Sequence, residues 1–122
     1  MNKQISKKEF KEYLKFFKNY VKTFHERGSR KSKKKLKTKH TFRVIKIITK
    51  IARQKKQDIY LSKTIALFHD LGRFYQAHKY NSFNDLKTFD HGEFGVKILE
   101  KNQVLSQLNP KTRDIVLTTV FY

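Results

Sequence analysis

Phe10, Tyr13, Leu14, Phe17, Tyr20, Val21 and Phe24 recur at intervals of three and four residues, the spacing that lines up one broad apolar face along an α-helix. Ser6 and Glu9 precede this stripe with the S-x-x-E spacing of a capping box, in which hydroxyl and carboxylate satisfy the free N–H groups of a helix start. Lys11, Lys15, Lys18 and Lys22 fall largely off the stripe and are expected in solvent. The same logic recurs downstream. Val44, Ile47, Ile48, Ile51 and Ala52 are expected to face inward behind His40, and Leu61, Ile65, Phe68 and His69 share a stripe that ends at Gly72. There glycine is expected to close the helix in the positive-φ region. Asp90 with Glu93, and Asn109 before the single proline Pro110, mark two further starts. Gly95 costs helix stability relative to alanine and points to close helix contact. An all-α domain of about five helices follows, starting near Ser6, His40, Tyr60, Asp90 and Pro110. The stretch 74–90, with its Asn-Ser and Asn-Asp turn signals, is expected to be an irregular loop.

A chain of 122 residues is long enough for one domain with a real core. The expected division of residues 1–122 is an N-terminal helix over 1–26, a basic loop over 27–39, and helices carrying the chemistry over 40–122. Eleven Phe and six Tyr keep the chain out of the disordered class despite 32% charged residues. Without cysteine there are neither disulfides nor thiolate metal sites, so His, Asp and Glu are the available metal ligands. The first residues lack a signal-peptide apolar stretch, and nowhere do apolar residues run long enough to span a bilayer. A cytoplasmic protein without a membrane span is expected.

The net charge of +19 is concentrated: no acidic residue occurs between Glu26 and Asp58. Codon bias toward lysine accounts for many of the cations but not for the missing acids. Arg30, Lys31, Lys33, Lys34, Lys35, Lys37 and Lys39 lead this window. They are candidates for non-specific nucleic-acid binding, and the field also suits nucleotides or anionic lipid. So dense a run of like charges resists compact packing, which is the reason for expecting a loop there.

His69 and Asp70 stand side by side at the end of the apolar segment Leu67-Phe68. Neighbours in a helix diverge by roughly 100°, so both side chains meet only at a point between their directions. A bound cation is such a point. Imidazole and carboxylate are ligands for divalent ions, and a metal offsets the cost of desolvating the Asp. For the dipeptide alone a plainer arrangement comes first, because two residues are too few ligands to fix a metal: His69 bonded to a backbone carbonyl, with Asp70 opening the turn at Gly72.

His40, His69-Asp70 and Asp90-His91 nevertheless fall on three successive helices. His40-x-x-Arg43-Val44 with Ile51-Ala52 downstream, then Ala66 to Phe74 followed by Gln76 and Phe83, then Asp90-His91-x-x-x-Gly95-x-x-x-Leu99, together resemble the HD-domain superfamily of metal-dependent phosphohydrolases. The resemblance covers roughly residues 36–122, and its specificity lies in the order of the motifs. It implies an all-helical domain in which His40, His69 and Asp70 ligate a divalent ion (Mn, Fe, Zn, Ni, Co or Mg), with His91 a candidate for a second. Asp70 and Arg73 are the candidate catalytic residues; Arg73, shortly after the pair, is placed to offer its guanidinium to a substrate phosphate, with a surface ion pair as the alternative. The family's last Asp ligand has no counterpart up to Tyr122, so weaker metal binding and slow turnover are expected. The substrate class is a nucleotide or other phosphate ester. The alternative is a degenerate, non-catalytic module that binds nucleic acid or a partner protein through its basic face.

Overall fold

In a computed structural model, residues 4–122 are described, and six α-helices account for most of them. They are α1 (Lys7–Lys22), α2 (Gly28–Gln54), α3 (Ile59–Phe68), α4 (Gly72–Tyr80), α5 (His91–Lys101) and α6 (Pro110–Phe121). No strand occurs among the described residues. The short, mostly apolar α3 is the central element, packed by α1, α2 and α6, while α4 rests on α2 and α5, and α5 rests on α6. Leu67, Phe68 and Leu71 are fully buried at its C-terminal end and in the turn that follows. Phe10, Tyr13, Phe17, Val21 and Phe24 of the first stripe are buried as expected, and so are Val116 and Val120 of α6.

Side chains set the helix starts. Ser6 Oγ accepts from Glu9 N at 3.0 Å while Ser6 N donates to Glu9 Oε1 at 2.8 Å, which completes the capping box. Asp58, Asp90 and Asn109 accept from the N–H three residues on in α3, α5 and α6. Asp58 also accepts from Gln4 N at 2.7 Å, tying the segment before α1 to the start of α3.

Three sequence expectations about where helices begin and end are corrected, along with one about which residues of α2 face inward. The basic stretch 27–39 is no loop, because α2 begins at Gly28 and runs unbroken for 27 residues. Lysine and arginine are good helix formers, and successive charges point about 100° apart into water, so helix formation does not require them to pack. Tertiary bonds then hold the segment: Lys34 Nζ donates to Phe24 O at 2.7 Å, Arg30 Nε to His78 O at 3.0 Å, and Asn81 Nδ2 to Ser29 Oγ at 2.9 Å. Within α2 the inward line is Thr41, Ile45, Ile48 and Ala52, and it leaves Ile47 and Ile51 exposed at 53% and 45%. Six apolar residues, Val44, Ile45, Ile47, Ile48, Ile51 and Ala52, spread over this stretch and cover too wide an arc to face one way.

The stretch 74–90 contains α4, which takes the helix count to six. Its nine residues bury only Phe74 and Ala77 as apolar anchors besides Gly72, and the fully buried Gln76 interrupts the pattern. Too little periodicity was left to read. The third correction concerns Gly72, which opens α4 rather than closing α3 and has no positive φ. It is needed for space. A Cβ there would stand 2.1 Å from His91 O, and one at Gly92 would stand 2.3 Å from Phe121 O. At Gly95 it would meet Val120 Cγ1 at 3.3 Å, the close contact its sequence position suggested.

Gly72→Ala and Gly92→Ala each force two backbones apart. Each is expected to lower unfolding free energy by about 1–3 kcal/mol, the usual cost of overpacking, whereas Lys11→Ala on the solvated face of α1 is expected to stay within about 0.5 kcal/mol. Urea denaturation of the three variants beside the parent checks this; a neutral Gly72→Ala would show that α4 and α5 are not in backbone contact.

Candidate metal centre

The buried end of α3 fixes the position of His69 and Asp70, which occupy the tight turn into α4. Arg73 N donates to Asp70 O at 2.9 Å and Leu71 N to Phe68 O at 3.1 Å, so the turn is closed by its own backbone. His69 Nδ1 donates to Ala66 O at 2.6 Å, which leaves Nε2 as the lone-pair nitrogen facing away from the helix. The plainer arrangement open to the dipeptide, His69 bonded to a backbone carbonyl with Asp70 in the turn, is thus present. The backbone bond to His69 is what aims its ligand atom.

Asp70 is only 7% exposed, and its carboxylate is the point on which the site converges. His69 Nε2 lies 3.4 Å from Oδ2 and His40 Nε2, from the middle of α2, lies 3.6 Å from the same oxygen. Lys37 Nζ, one turn before His40, donates to that oxygen at 3.3 Å. The other oxygen, Oδ1, faces His91 Nε2 at 3.5 Å. One ligand atom from each of His40, His69 and Asp70 lies within 4.8 Å of the others. Separations of 3.4 and 3.6 Å are close to the edge, about 3.4 Å, of a tetrahedron with metal–nitrogen bonds of about 2.1 Å. The donor set therefore fits a divalent ion. His91 stands outside this group of three, on the opposite carboxylate oxygen.

The structure adds a residue that the sequence offered only as a turn signal. Asp85, from the loop after α4, accepts from His91 Nδ1 at 2.7 Å and from His91 N at 3.3 Å through Oδ2. Its Oδ1 accepts from Arg73 Nη1 and from Gln76 Nε2, at 2.6 and 3.0 Å. This is the carboxylate–histidine pairing that selects a tautomer, and it turns Nε2 of His91 toward Asp70. Gln76 is fully buried, and Asp85 is one of the partners its amide requires.

Arg73 is engaged with the loop after α4. Its Nη1 donates to Asp85, to Gln76 Oε1 at 2.9 Å and to Phe83 O at 2.8 Å, so that nitrogen braces the loop. Of the seven basic residues proposed for nucleic acid, Arg30, Lys34 and Lys37 are engaged within the fold, Lys33 is half-buried, and Lys31, Lys35 and Lys39 are exposed.

Electrostatics follow this layout. Burial by itself raises the Asp70 pKa, but His69, Lys37 and His91 outweigh it and hold the carboxyl below its ordinary range. For Asp85 the bonds from Gln76 and His91 likewise overcome desolvation and depress the carboxyl strongly. His40 is held below the usual imidazole value by partial burial first and by Lys37 second, against the pull of Asp70.

A comparison with protein-family models matches residues 38–122 to the HD domain. The chain belongs to the HD-domain family. The match takes in every element from the middle of α2 to α6, and hence His40, His69, Asp70 and His91, while α1 and the N-terminal part of α2, with Lys37, precede it. Comparisons with curated proteins and with solved structures give no match.

The depressed His40 pKa has a consequence for stability. Below about 6.5, its ordinary value, the unfolded chain takes up a proton that the folded chain resists, so the stability contributed above that pH is lost as pH falls. Asp70 and Asp85 add a second loss below about 3.8, their ordinary value. Metal-free protein is expected to lose melting temperature between pH 7 and 5, and His40→Gln to flatten that slope. Melting curves of both proteins across this range measure it; parallel slopes would mean that His40 titrates alike in both states.

Proposed function

We propose that this chain is a metal-dependent phosphohydrolase acting on a nucleotide or another phosphate ester. The observation that carries the reading is the convergence of His40 and His69 on one oxygen of a buried Asp70, in a chain of the HD-domain family. His40, His69 and Asp70 would hold the ion, and His91 would extend the site from the far oxygen of Asp70 or contribute to a second ion. Imidazole-rich donors favour manganese, iron, zinc, nickel or cobalt over magnesium, which prefers oxygen and water. A bound divalent ion supplies Lewis acidity, polarising a phosphoryl group and acidifying water.

The protein's own part is positioning. The Ala66 carbonyl aims His69, and Asp85 aims His91. Asp70 brings the negative charge that makes cation binding favourable, and in this sense is the central catalytic residue. Arg73 acts as a positioning residue, because its Nη1 fixes the carboxylate that fixes His91. The absence of cysteine fits a reducing, cytoplasmic setting, and among the described residues no helix is long and apolar enough to cross a membrane.

Purified protein is expected to hydrolyse small phosphate esters or nucleotides slowly with added manganese or a similar ion. The His69→Ala, Asp70→Ala double variant is expected to lose that activity while keeping its helical circular dichroism. Equal rates in both proteins across a panel of divalent ions, or none in either, would overturn the reading.

A second reading, a non-catalytic module gripping polyanions, draws on α2 itself. Beyond Lys31, Lys35 and Lys39, a groove of about 540 Å³ is lined by Phe42, Lys46, Lys50, Arg53 and Lys63, among others, and carries no acid. Binding of short single- or double-stranded DNA is expected to be sequence-indifferent and to weaken steeply as salt rises, through counterion release. Fluorescence anisotropy at low and physiological salt decides it, and affinity that does not move with salt would count against this face as a polyanion site.

A further inference from the structure

Lys37 occupies a place that its position in a basic run does not explain. It precedes His40 by three residues on the same helix, so both side chains leave one face of α2. Its Nζ lies 3.3 Å from Asp70 Oδ2, the oxygen that also faces His40 and His69. Among the described residues it is the one lysine of α2 within ion-pair distance of a carboxylate. A divalent ion held by His40, His69 and Asp70 needs that same oxygen, and an ammonium group beside it would repel the ion directly. Lys37 is nonetheless free to leave, because its side chain is partly exposed. A second resting place is at hand, since Nζ already stands 5.1 Å from the centre of the Phe83 ring on the loop beside the site.

We infer that Lys37 is an exchangeable counterion: it neutralises Asp70 when no metal is bound, is displaced by the incoming ion, and then presents its ammonium group to a phosphate oxygen of the ligand. The inference rests on the metal-site reading above and deepens it by naming an anion-binding residue. It also removes Lys37 from the set of residues expected to contact nucleic acid. The exchange keeps charge balanced in both states. Without metal, the lysine offsets the buried carboxylate; with metal and phosphate, the added positive and negative charges arrive together, and the lysine stays near the anion. Arginine at this position would keep the charge, while methionine would keep the length and apolar stem without it.

The test uses manganese and inorganic phosphate as probes, measured by titration calorimetry at fixed pH and ionic strength. Lys37→Met is expected to bind manganese about tenfold more tightly than the parent, well below the full Coulomb penalty because the parent lysine can swing aside. Manganese-loaded Lys37→Met is expected to bind phosphate about tenfold more weakly, and Lys37→Arg to restore both values toward the parent. Lys15→Met, which removes the same charge from the exposed face of α1, controls for the general field and should leave manganese affinity unchanged. Equal or weaker manganese binding by Lys37→Met would overturn the counterion role, and unchanged phosphate binding would overturn the anion role. A tightening as large in Lys15→Met would reduce the effect to net charge and overturn the specific exchange. Manganese bound by none of the proteins would overturn the metal-site reading itself, and this inference with it.

Discussion

Burial of the C-terminal end of α3 is the constraint on which everything else depends. Leu67, Phe68 and Leu71 have no exposure, and α3 is packed by three other helices. The turn that follows inherits that rigidity. His69 and Asp70 therefore need no long-range support to be placed; they stand at the mouth of the core, one side chain oriented by the Ala66 carbonyl and the other half enclosed by α2 and α5. Hydrophobic packing, which is indifferent to chemistry, delivers a carboxylate to a place where its charge is poorly solvated and must be met by something positive.

What meets it is a ring of four side chains, Lys37, His40, His69 and His91, drawn from three parts of the chain. Around a single carboxylate this is an excess of potential positive charge, and the outer carboxylate Asp85 moderates it by taking His91 from behind. Asp85 is tied in turn to Arg73 and Gln76, so the loop after α4 acts as a brace. A polar network of this kind is useful only when each member finds its partner. Gln76 meets that condition, its amide nitrogen reaching Asp85, Thr88 and Phe89 while its oxygen accepts from Arg73, whereas Arg73 Nε is buried without a partner.

Much of this was legible in the residues alone. Cap signals at Ser6, Asp90 and Asn109 and the stripe from Phe10 to Phe24 are local, and local physics decided them. His40, His69, Asp70 and His91 could be picked out because the order of their motifs was informative, even though their convergence is tertiary. The basic stretch was misjudged because charge repulsion was weighed against compaction, whereas a helix that touches its neighbours along one line needs little compaction. α4 was missed because a buried glutamine stood where an apolar residue would have completed the pattern. The role of Asp85 had no local signature at all, since it depends on partners at positions 73, 76 and 91. Lys37 looked like one cation among many until the fold set it against Asp70.

The three glycine contacts form a continuous mechanical train. Gly72 seats α4 against the backbone of His91, Gly92 seats α5 against the end of α6, and Gly95 lets Val120 close the remaining gap. With α5 wedged at backbone distance on both sides, His91 has no freedom to tilt unless α4 or α6 shifts with it. The tolerance of the site is therefore set by how tightly three helices nest, and a bulkier side chain at the far end of α6 would be felt as a change of aim at the carboxylate.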